Sequence, residues 1–134
     1  MANLIKMSNA AVNAQGDALA LLANNGYLRI YDGTRAANAD TAVGSQVLLA
    51  ELRLNATAFG ATVAGVMTAA AITQDSAANA SGNATWYRVL KSDGTTALWD
   101  GEVGVSGCDL NLNAIAISIN AVVSVTALTH TVTK

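Results

Sequence analysis

The stretch TWYRVLKSDGTTALWDGEV, residues 85–103, has two runs of alternating apolar and polar residues on either side of Asp93-Gly94. Asp-Gly is favoured in the type I′ turns that join antiparallel strands through a two-residue loop. The stretch therefore predicts a β-hairpin. A two-residue loop fixes which residues face each other: Leu90 with Ala97, Val89 with Leu98, and Arg88 with Trp99. In that register Arg88 makes a cross-strand cation–π contact with the ring of Trp99.

Alternation with a period of two also marks the chain before this hairpin. Residues 27–31 and 46–55 carry apolar side chains at every second position, which is typical of half-buried strands. Asp32-Gly33, after the first of these runs, has the residue types of a turn. TVAGVMTAAAIT, residues 62–73, predicts a buried strand or a pair of strands.

The C-terminal segment AIAISINAVVSVTALTHTVTK, residues 114–134, predicts a second hairpin. Its apolar alternation changes phase part-way along. Val125 and Ala127 share one face of a strand, whereas Leu128 and Val132 share the other. This change predicts a β-bulge near Ala127-Leu128, or a strand that moves to another sheet there.

Residues 8–24 predict a single helix. Ser8 has the residue type of an N-cap, and Asn25-Gly26 ends the helix, with Gly26 available for the left-handed position. At 100° per residue the helix has an apolar and a polar side. The apolar side comprises Ala11, Val12, Ala18, Leu19 and Leu22. The polar side comprises Asn9, Asn13, Asp17 and Asn24.

These elements predict one domain, residues 1–134, of the mainly β class. One N-terminal helix is followed by antiparallel strands over residues 27–134, joined by short turns. Such an order is typical of an antiparallel β-sandwich or a jelly-roll-like fold with the helix packed on it. Residues 54–74 are uncharged and long enough to span a bilayer, but their Ala, Thr and Gly content is too polar, so we expect no membrane span.

The composition argues against several classes of partner. Only 12% of the residues are charged and the net charge is −2, so no basic surface for nucleic acid or an anionic membrane is expected. The single cysteine, Cys108, permits neither an internal disulfide nor a cysteine metal cluster. A surface rich in Ala, Thr, Ser and Asn can be covered by a neighbouring subunit without desolvating many charges, which suits an assembly subunit.

No pattern predicts a catalytic, metal or cofactor site. His130, the only histidine, lies on a predicted strand face and has no evident partner for base catalysis. Asp109 beside Cys108 would raise rather than lower the pKa of the thiol. Asp109, Asn111 and Asn113 have the spacing that opens a calcium loop, but Ala114 stands where glycine is required and Asn120 where glutamate is required.

Two blocks of sequence resemble a family of small structural proteins of tailed bacteriophages. The first is LRIYDGTRAANADT, residues 28–41, followed by LLAELRLNATAFG, residues 48–60. The second is GNATWYRVLKSDGTTALWDGEVGVSGCDLNLN, residues 82–113. The resemblance covers residues 28–113 in the same order of segments. In the family Pro commonly follows DGTR, whereas this chain has Ala36 there.

The resemblance implies a structural component of the virion, made in the cytoplasm of the host bacterium. A capsid decoration (cement) protein or a head–tail neck (collar) protein is expected. Its partners would be copies of itself, in a homo-oligomer, and the major capsid protein or other virion proteins. The family supplies no catalytic residue and no cofactor, so we do not expect an enzyme.

Two sets of residues are candidates for contacts. The apolar residues ahead of the helix, Leu4, Ile5 and Met7, are predicted to contact another subunit or the capsid. The alternative function is a receptor- or glycan-binding module of a fibre or tail, for which an exposed Trp86 and Trp99 would form the sugar platform. Packing of both rings in the core and across strands is the competing interpretation, and alternation favours it.

Overall fold

The computed structural model describes residues 5–134 and has a mainly β fold with one helix, as the sequence predicts. The elements within these residues are α1 (Asn9–Ala23), β1 (Tyr27–Tyr31), β2 (Leu48–Arg53), β3 (Val66–Thr68), β4 (Gly82–Asn83), β5 (Trp86–Leu90), β6 (Ala97–Gly104), β7 (Leu110–Leu112), β8 (Ala116–Ile117) and β9 (Val125–Thr131).

Seven of the strands form one sheet in the order β2-β1-β5-β6-β7-β9-β3, curled into a half-barrel. The neighbouring pairs are antiparallel except β6 and β7, which run parallel. The sheet is therefore mixed, whereas the alternation had suggested antiparallel pairing throughout. Between β6 and β7 the chain loops outward at residues 105–109, where Gly107 has φ of +72°. The side chain of Asn111 closes this loop by bonding both the N–H and the C=O of Cys108.

The hairpin β5–β6 forms, but its register differs from the prediction beyond the first pair. Leu90 faces Ala97 as predicted. A register shift between Val89 and Leu90 then moves the next pairs by one residue, so that Val89 faces Trp99. The partner of Arg88 across the hairpin is consequently Asp100, and the predicted cation–π contact with Trp99 is wrong. The guanidinium of Arg88 instead lies 5.5 Å from the ring centre of Trp86 on the same strand.

The turn of this hairpin is not of type I′. Of its two central residues only Gly94 has a positive φ, +71°. The N–H of Gly94 donates to the C=O of Lys91, and the carboxylate of Asp93 accepts hydrogen bonds from the N–H groups of Thr95 and Thr96. The side chain of Asp93 thus holds a longer loop than two residues, which the Asp-Gly pair alone did not reveal.

The ends of α1 confirm the predicted helix, with one change. The hydroxyl of Ser8 accepts a hydrogen bond from the N–H of Ala11, as expected for an N-cap. At the other end the left-handed residue is Asn25, with φ of +56°, rather than Gly26. Gly26 is required for a different reason: a Cβ there would lie 2.3 Å from the carbonyl oxygen of Leu90.

The predicted apolar side of α1 is only partly correct. The buried residues of the helix are Val12, Gly16, Ala20 and Ala23. Ala18 and Leu22, which had been expected to pack on the sheet, are exposed. The helix is turned this way because polar side chains that looked suited to solvent bind the backbone of the β2–β3 connection instead.

The predicted C-terminal hairpin is wrong, whereas the predicted bulge is confirmed to within one residue. β8 pairs with β4, and β9 lies between β7 and β3. Val125 and Ala127 pair with successive positions of β7, so Thr126 is the additional residue of a bulge. After Leu128 the strand changes its pairing from β7 to β3. The change of phase in the sequence marks this transition.

The core lies inside the curled sheet, under α1 and the layer that contains β4 and β8. It includes aromatic and aliphatic side chains from all of these parts. In residues 5–134 we find no helix that is long and apolar enough to cross a membrane. Residues 54–74 contain turns and β3. The largest fully buried side chains are Trp86, Tyr87, Leu28, Ile30, Leu49, Leu52, Met67, Leu110, Leu112, Leu128, Val12 and Val89.

Candidate functional site

The residues predicted to make assembly contacts lie at the start of the chain. Leu4 is outside the described residues. The side chain of Ile5 is 70% exposed. Met7 is half-buried and directly precedes the N-cap Ser8. The segment therefore enters α1 at the protein surface, and α1 is the element whose surface has to be considered with it.

Two polar side chains of α1 and the side chain of its C-cap residue bind backbone N–H groups of the body of the protein. Asn13 accepts from Gly65 (2.9 Å), and Asp17 accepts from Thr62 (2.8 Å). Asn24, at the C-cap, accepts from Ala58 (2.9 Å) in the same way. These hydrogen bonds satisfy backbone N–H groups of the β2–β3 connection, which has little regular secondary structure of its own. The pKa of Asp17 is held below its usual value, mainly by the hydrogen bond from the backbone N–H of Thr62.

Two aliphatic side chains near the C-terminal end of α1 are exposed. Leu21 is 71% exposed and Leu22 is 47% exposed. Next to Leu21 is a shallow groove of about 240 Å³ between the C-terminal half of α1 and residues 57–61. Phe59 and Ala20 contribute to its lining. We call Leu21, Leu22 and this groove the α1 surface. The sequence did not reveal it, because Leu22 had been placed on the buried side.

A second set of exposed aliphatic side chains lies on the connection that contains β8. Ile115, Ile119 and Val122 are all exposed. The connection itself is held by backbone hydrogen bonds to Ala78: its N–H donates to the C=O of Ala121, and its C=O accepts from the N–H of Asn120. The protein thus presents apolar side chains on two different elements, each of which has a fixed backbone.

The main polar feature of the interior is the ion pair between Arg88 and Asp100. Nε and Nη2 of Arg88 donate to the two carboxylate oxygens of Asp100 at 2.6 and 2.9 Å. Both side chains are only 6% exposed. The pKa of Arg88 is raised, chiefly by the hydrogen bonds to Asp100. Nη2 also donates to the C=O of Asn38, which fixes the β1–β2 loop over the pair.

Both tryptophans are buried and do not form the sugar platform considered above. Trp86 is 1% exposed, stacks on Tyr31 with ring centres 4.7 Å apart, and donates its Nε1–H to the C=O of Asp32. Trp99 donates its Nε1–H to the hydroxyl of Tyr87. Burial raises the pKa of Tyr87 to about 12. The packing interpretation is therefore confirmed for both rings.

The other residues considered for chemistry have structural contacts. The ring of His130 lies 4.5 Å from that of Trp99, and burial lowers the pKa of His130. Cys108 is half-buried beside Asn111. The amide of Asn113 bonds the backbone of Val122 and Ser124 rather than facing an open calcium loop. Across residues 5–134 no group of three or more His, Cys, Asp and Glu side chains is arranged to hold a metal ion.

The predicted turn at Asp32-Gly33 forms, but the side chain of Asp32 bonds a distant residue instead of the backbone of its own turn. Gly33 has φ of +72°, and the carboxylate of Asp32 accepts from the N–H of Val47 at 2.6 Å, which closes the base of the β1–β2 loop.

Comparison of the chain with protein-family models, with curated proteins and with solved structures finds no match. What the geometry itself offers is a rigid body with exposed aliphatic side chains on α1.

Proposed function

We propose that this chain is a structural subunit of a tailed-bacteriophage particle, either a capsid decoration (cement) protein or a head–tail neck (collar) protein. It acts by assembling with copies of itself and with the major capsid protein or other virion proteins. The resemblance of residues 28–113 supports the class of particle. The α1 surface supports the mode of action, and it is the observation on which the proposal rests.

The α1 surface has the character of an interface. Leu21 and Leu22 are adjacent and exposed, and their helix is hydrogen-bonded to the body of the protein through Asn13, Asp17 and Asn24. Covering a leucine side chain contributes roughly 1.5–3 kcal/mol, less the entropy of fixing it. A partner therefore gains energy here without having to order the helix first.

The charges of the protein favour assembly for a second reason. Glu51 pairs with Arg29 at 2.7 Å, and Asp100 pairs with Arg88 inside the protein. Since only 12% of the residues are charged, a neighbour that covers the surface desolvates few charges, which removes a main cost of forming an interface.

The edges of the large sheet are covered by the chain itself. On β2, the C=O of Leu49 accepts from Asn79 and the N–H of Glu51 donates to Asp75. On β3, the C=O of Thr68 accepts from Gly60. Sheet edges that are covered in this way are poor templates for pairing with another chain. Assembly is therefore expected through side-chain surfaces such as α1 rather than by strand addition.

The experiment mixes purified protein with particles that lack it and measures binding by co-sedimentation and particle stability by heating. The variant Leu21→Glu/Leu22→Glu puts two charges on the α1 surface. The control Val105→Glu makes the same kind of change at an exposed aliphatic residue of the β6–β7 loop. Wild type and control are expected to bind and stabilise the particles, and the α1 variant is not.

Light scattering on the isolated protein completes the test. Wild type and control are expected to have the molar mass of a homo-oligomer. The α1 variant is expected to have a smaller molar mass. The proposal is overturned if wild type neither binds particles nor self-associates. Equal binding by wild type, control and α1 variant would show that the α1 surface is not the contact with the particle.

A further inference from the structure

A cleft of about 400 Å³ opens above the buried ion pair, a size within the ~300–1,000 Å³ range of ligand sites. One wall is the β1–β2 loop at residues 39–42, and the other is residues 95–97, where the β5–β6 hairpin turns. Arg88 lies between them. We refer to this feature as the Arg88 cleft.

Arg88 has hydrogen-bond donors left over in this cleft. Its Nε and Nη2 are used by Asp100 and by the C=O of Asn38. Within residues 5–134 the Nη1 group makes no hydrogen bond, and it is not sealed off from solvent. The guanidinium is otherwise buried and fixed in orientation by three bonds, so Nη1 is a preorganised donor for an oxygen atom of a ligand.

The walls of the cleft supply mainly acceptors. The hydroxyls of Thr41 and Thr96 donate to Asn38 and Asp93, which leaves their oxygen lone pairs to accept. The carboxylate of Asp40 makes no hydrogen bond within residues 5–134. The site therefore offers several acceptors around one fixed pair of N–H donors.

The charges exclude an anion as the preferred ligand. The charge of Arg88 is balanced by Asp100, which binds it through two hydrogen bonds. Asp40 then adds a further negative charge at the rim. A phosphate or carboxylate would meet this carboxylate without a free cation, whereas a neutral group with several hydroxyls both donates to the acceptors and accepts from Nη1.

We propose that the Arg88 cleft binds a neutral saccharide unit. Its hydroxyls bond Nη1 of Arg88 and the oxygens of Asp40, Thr41 and Thr96, and its C–H groups contact the methyl groups of the walls. The lining residues give no aromatic ring for stacking, so one site binds weakly, with a dissociation constant of the order of 1 mM. The apolar part of the lining comprises Ala39, Ala42 and Ala97.

The test is a titration of ¹⁵N-labelled protein with glucose, galactose and mannose, followed by two-dimensional NMR. At least one of these hexoses is expected to shift the amide signals of residues 39–42 and 95–97 and the Nε–H signal of Arg88, with saturation in the millimolar range. Inorganic phosphate and acetate at the same concentrations are expected to leave these signals unchanged.

Two variants on the same loop separate binding at the cleft from general effects. Ala42→Leu places a branched aliphatic side chain at the exposed mouth of the cleft and is expected to weaken binding at least tenfold. Ala37→Leu, also at an exposed position, changes the loop outside the lining and is expected to bind like wild type.

The outcomes are unambiguous for a protein whose spectrum shows that it is folded. The proposal is overturned if none of the three hexoses shifts the named signals, if the shifts persist unchanged in Ala42→Leu, or if phosphate binds wild type as tightly as a hexose. None of these measurements depends on self-association, so failure of the saccharide site leaves the proposed assembly function standing.

Discussion

Replacing Gly16 with alanine tests how closely α1 packs on the β2–β3 connection. A Cβ at this position would lie 2.4 Å from Oγ1 and 2.6 Å from Cγ2 of Thr62. Contacts this short force the helix and the connection apart. The hydrogen bond from the N–H of Thr62 to Asp17 lies next to the overlap and is strained with it.

The expected magnitude follows from three opposing effects. Alanine in place of glycine in an open helix raises the free energy of unfolding by about 1 kcal/mol. Overpacking costs about 1–3 kcal/mol, and loss of the bond between Asp17 and Thr62 costs about 1 kcal/mol more. The balance is a net loss of about 1–3 kcal/mol.

Urea denaturation of four proteins measures this effect and its cause. The four proteins are wild type, Gly16→Ala, Thr62→Ala and the double variant. Thr62→Ala loses a buried methyl group, which is expected to lower the free energy of unfolding by about 1 kcal/mol. Thr62→Ala removes both clashing atoms. The loss of unfolding free energy in the double variant is therefore expected to be smaller than the sum of the two single losses by more than about 1 kcal/mol.

Gly60→Ala is the control for the glycine substitution itself. Its nearest non-neighbouring atom is 4.0 Å from the added Cβ, so it is expected to change stability by less than about 0.5 kcal/mol. The contact between α1 and Thr62 is wrong if Gly16→Ala instead stabilises the protein by about 1 kcal/mol. It is also wrong if the effects of Gly16→Ala and Thr62→Ala on the free energy of unfolding are additive.

Three further substitutions test the interior. Arg88→Met leaves the carboxylate of Asp100 buried without its partner and is expected to lower the free energy of unfolding, measured with urea, by about 3–5 kcal/mol. The double variant Arg88→Met/Asp100→Leu is expected to lose less. Equal losses would refute the pairing. Gly101→Ala places a Cβ 2.5 Å from the ring of Tyr87 and is expected to lower the melting temperature, and an unchanged value would contradict this packing. The folded-state pKa of His130 is below its unfolded value of about 6.5, so its contribution to stability is complete above that pH and is lost as pH falls toward the folded-state pKa. His130→Gln is expected to flatten the urea midpoint over this range, and an unaltered slope would show that other groups cause it.

The sequence predicted the elements of the fold better than their partners. Ser8 and the Asp-Gly turn are local signals, and the helix and the β5–β6 hairpin follow from them. The bulge that places Trp99 opposite Val89 is set by packing of Trp99 against Phe59 and His130, which no local pattern encodes. Likewise, alternation marks β8 and β9 as strands but not which strands they pair with.

The candidate sites were harder to predict for the same physical reason. Asn13 and Asp17 look like residues that bond only water, and only the position of residues 62–65 reveals that they bind backbone N–H groups there. The Arg88 cleft is made by segments that lie about 50 residues apart in the chain, as the bond from Arg88 to Asn38 illustrates. Such a site exists only once the sheet has formed.

The position of β9 has a consequence for how the protein is made. β9 is synthesised after every other strand described here, yet it lies inside the sheet, between β7 and β3. Until residues through Thr131 have left the ribosome, β7 and β3 each lack this neighbour, and the nascent polypeptide exposes two unsatisfied backbone flanks. The half-barrel can therefore close only after β9 has left the ribosome.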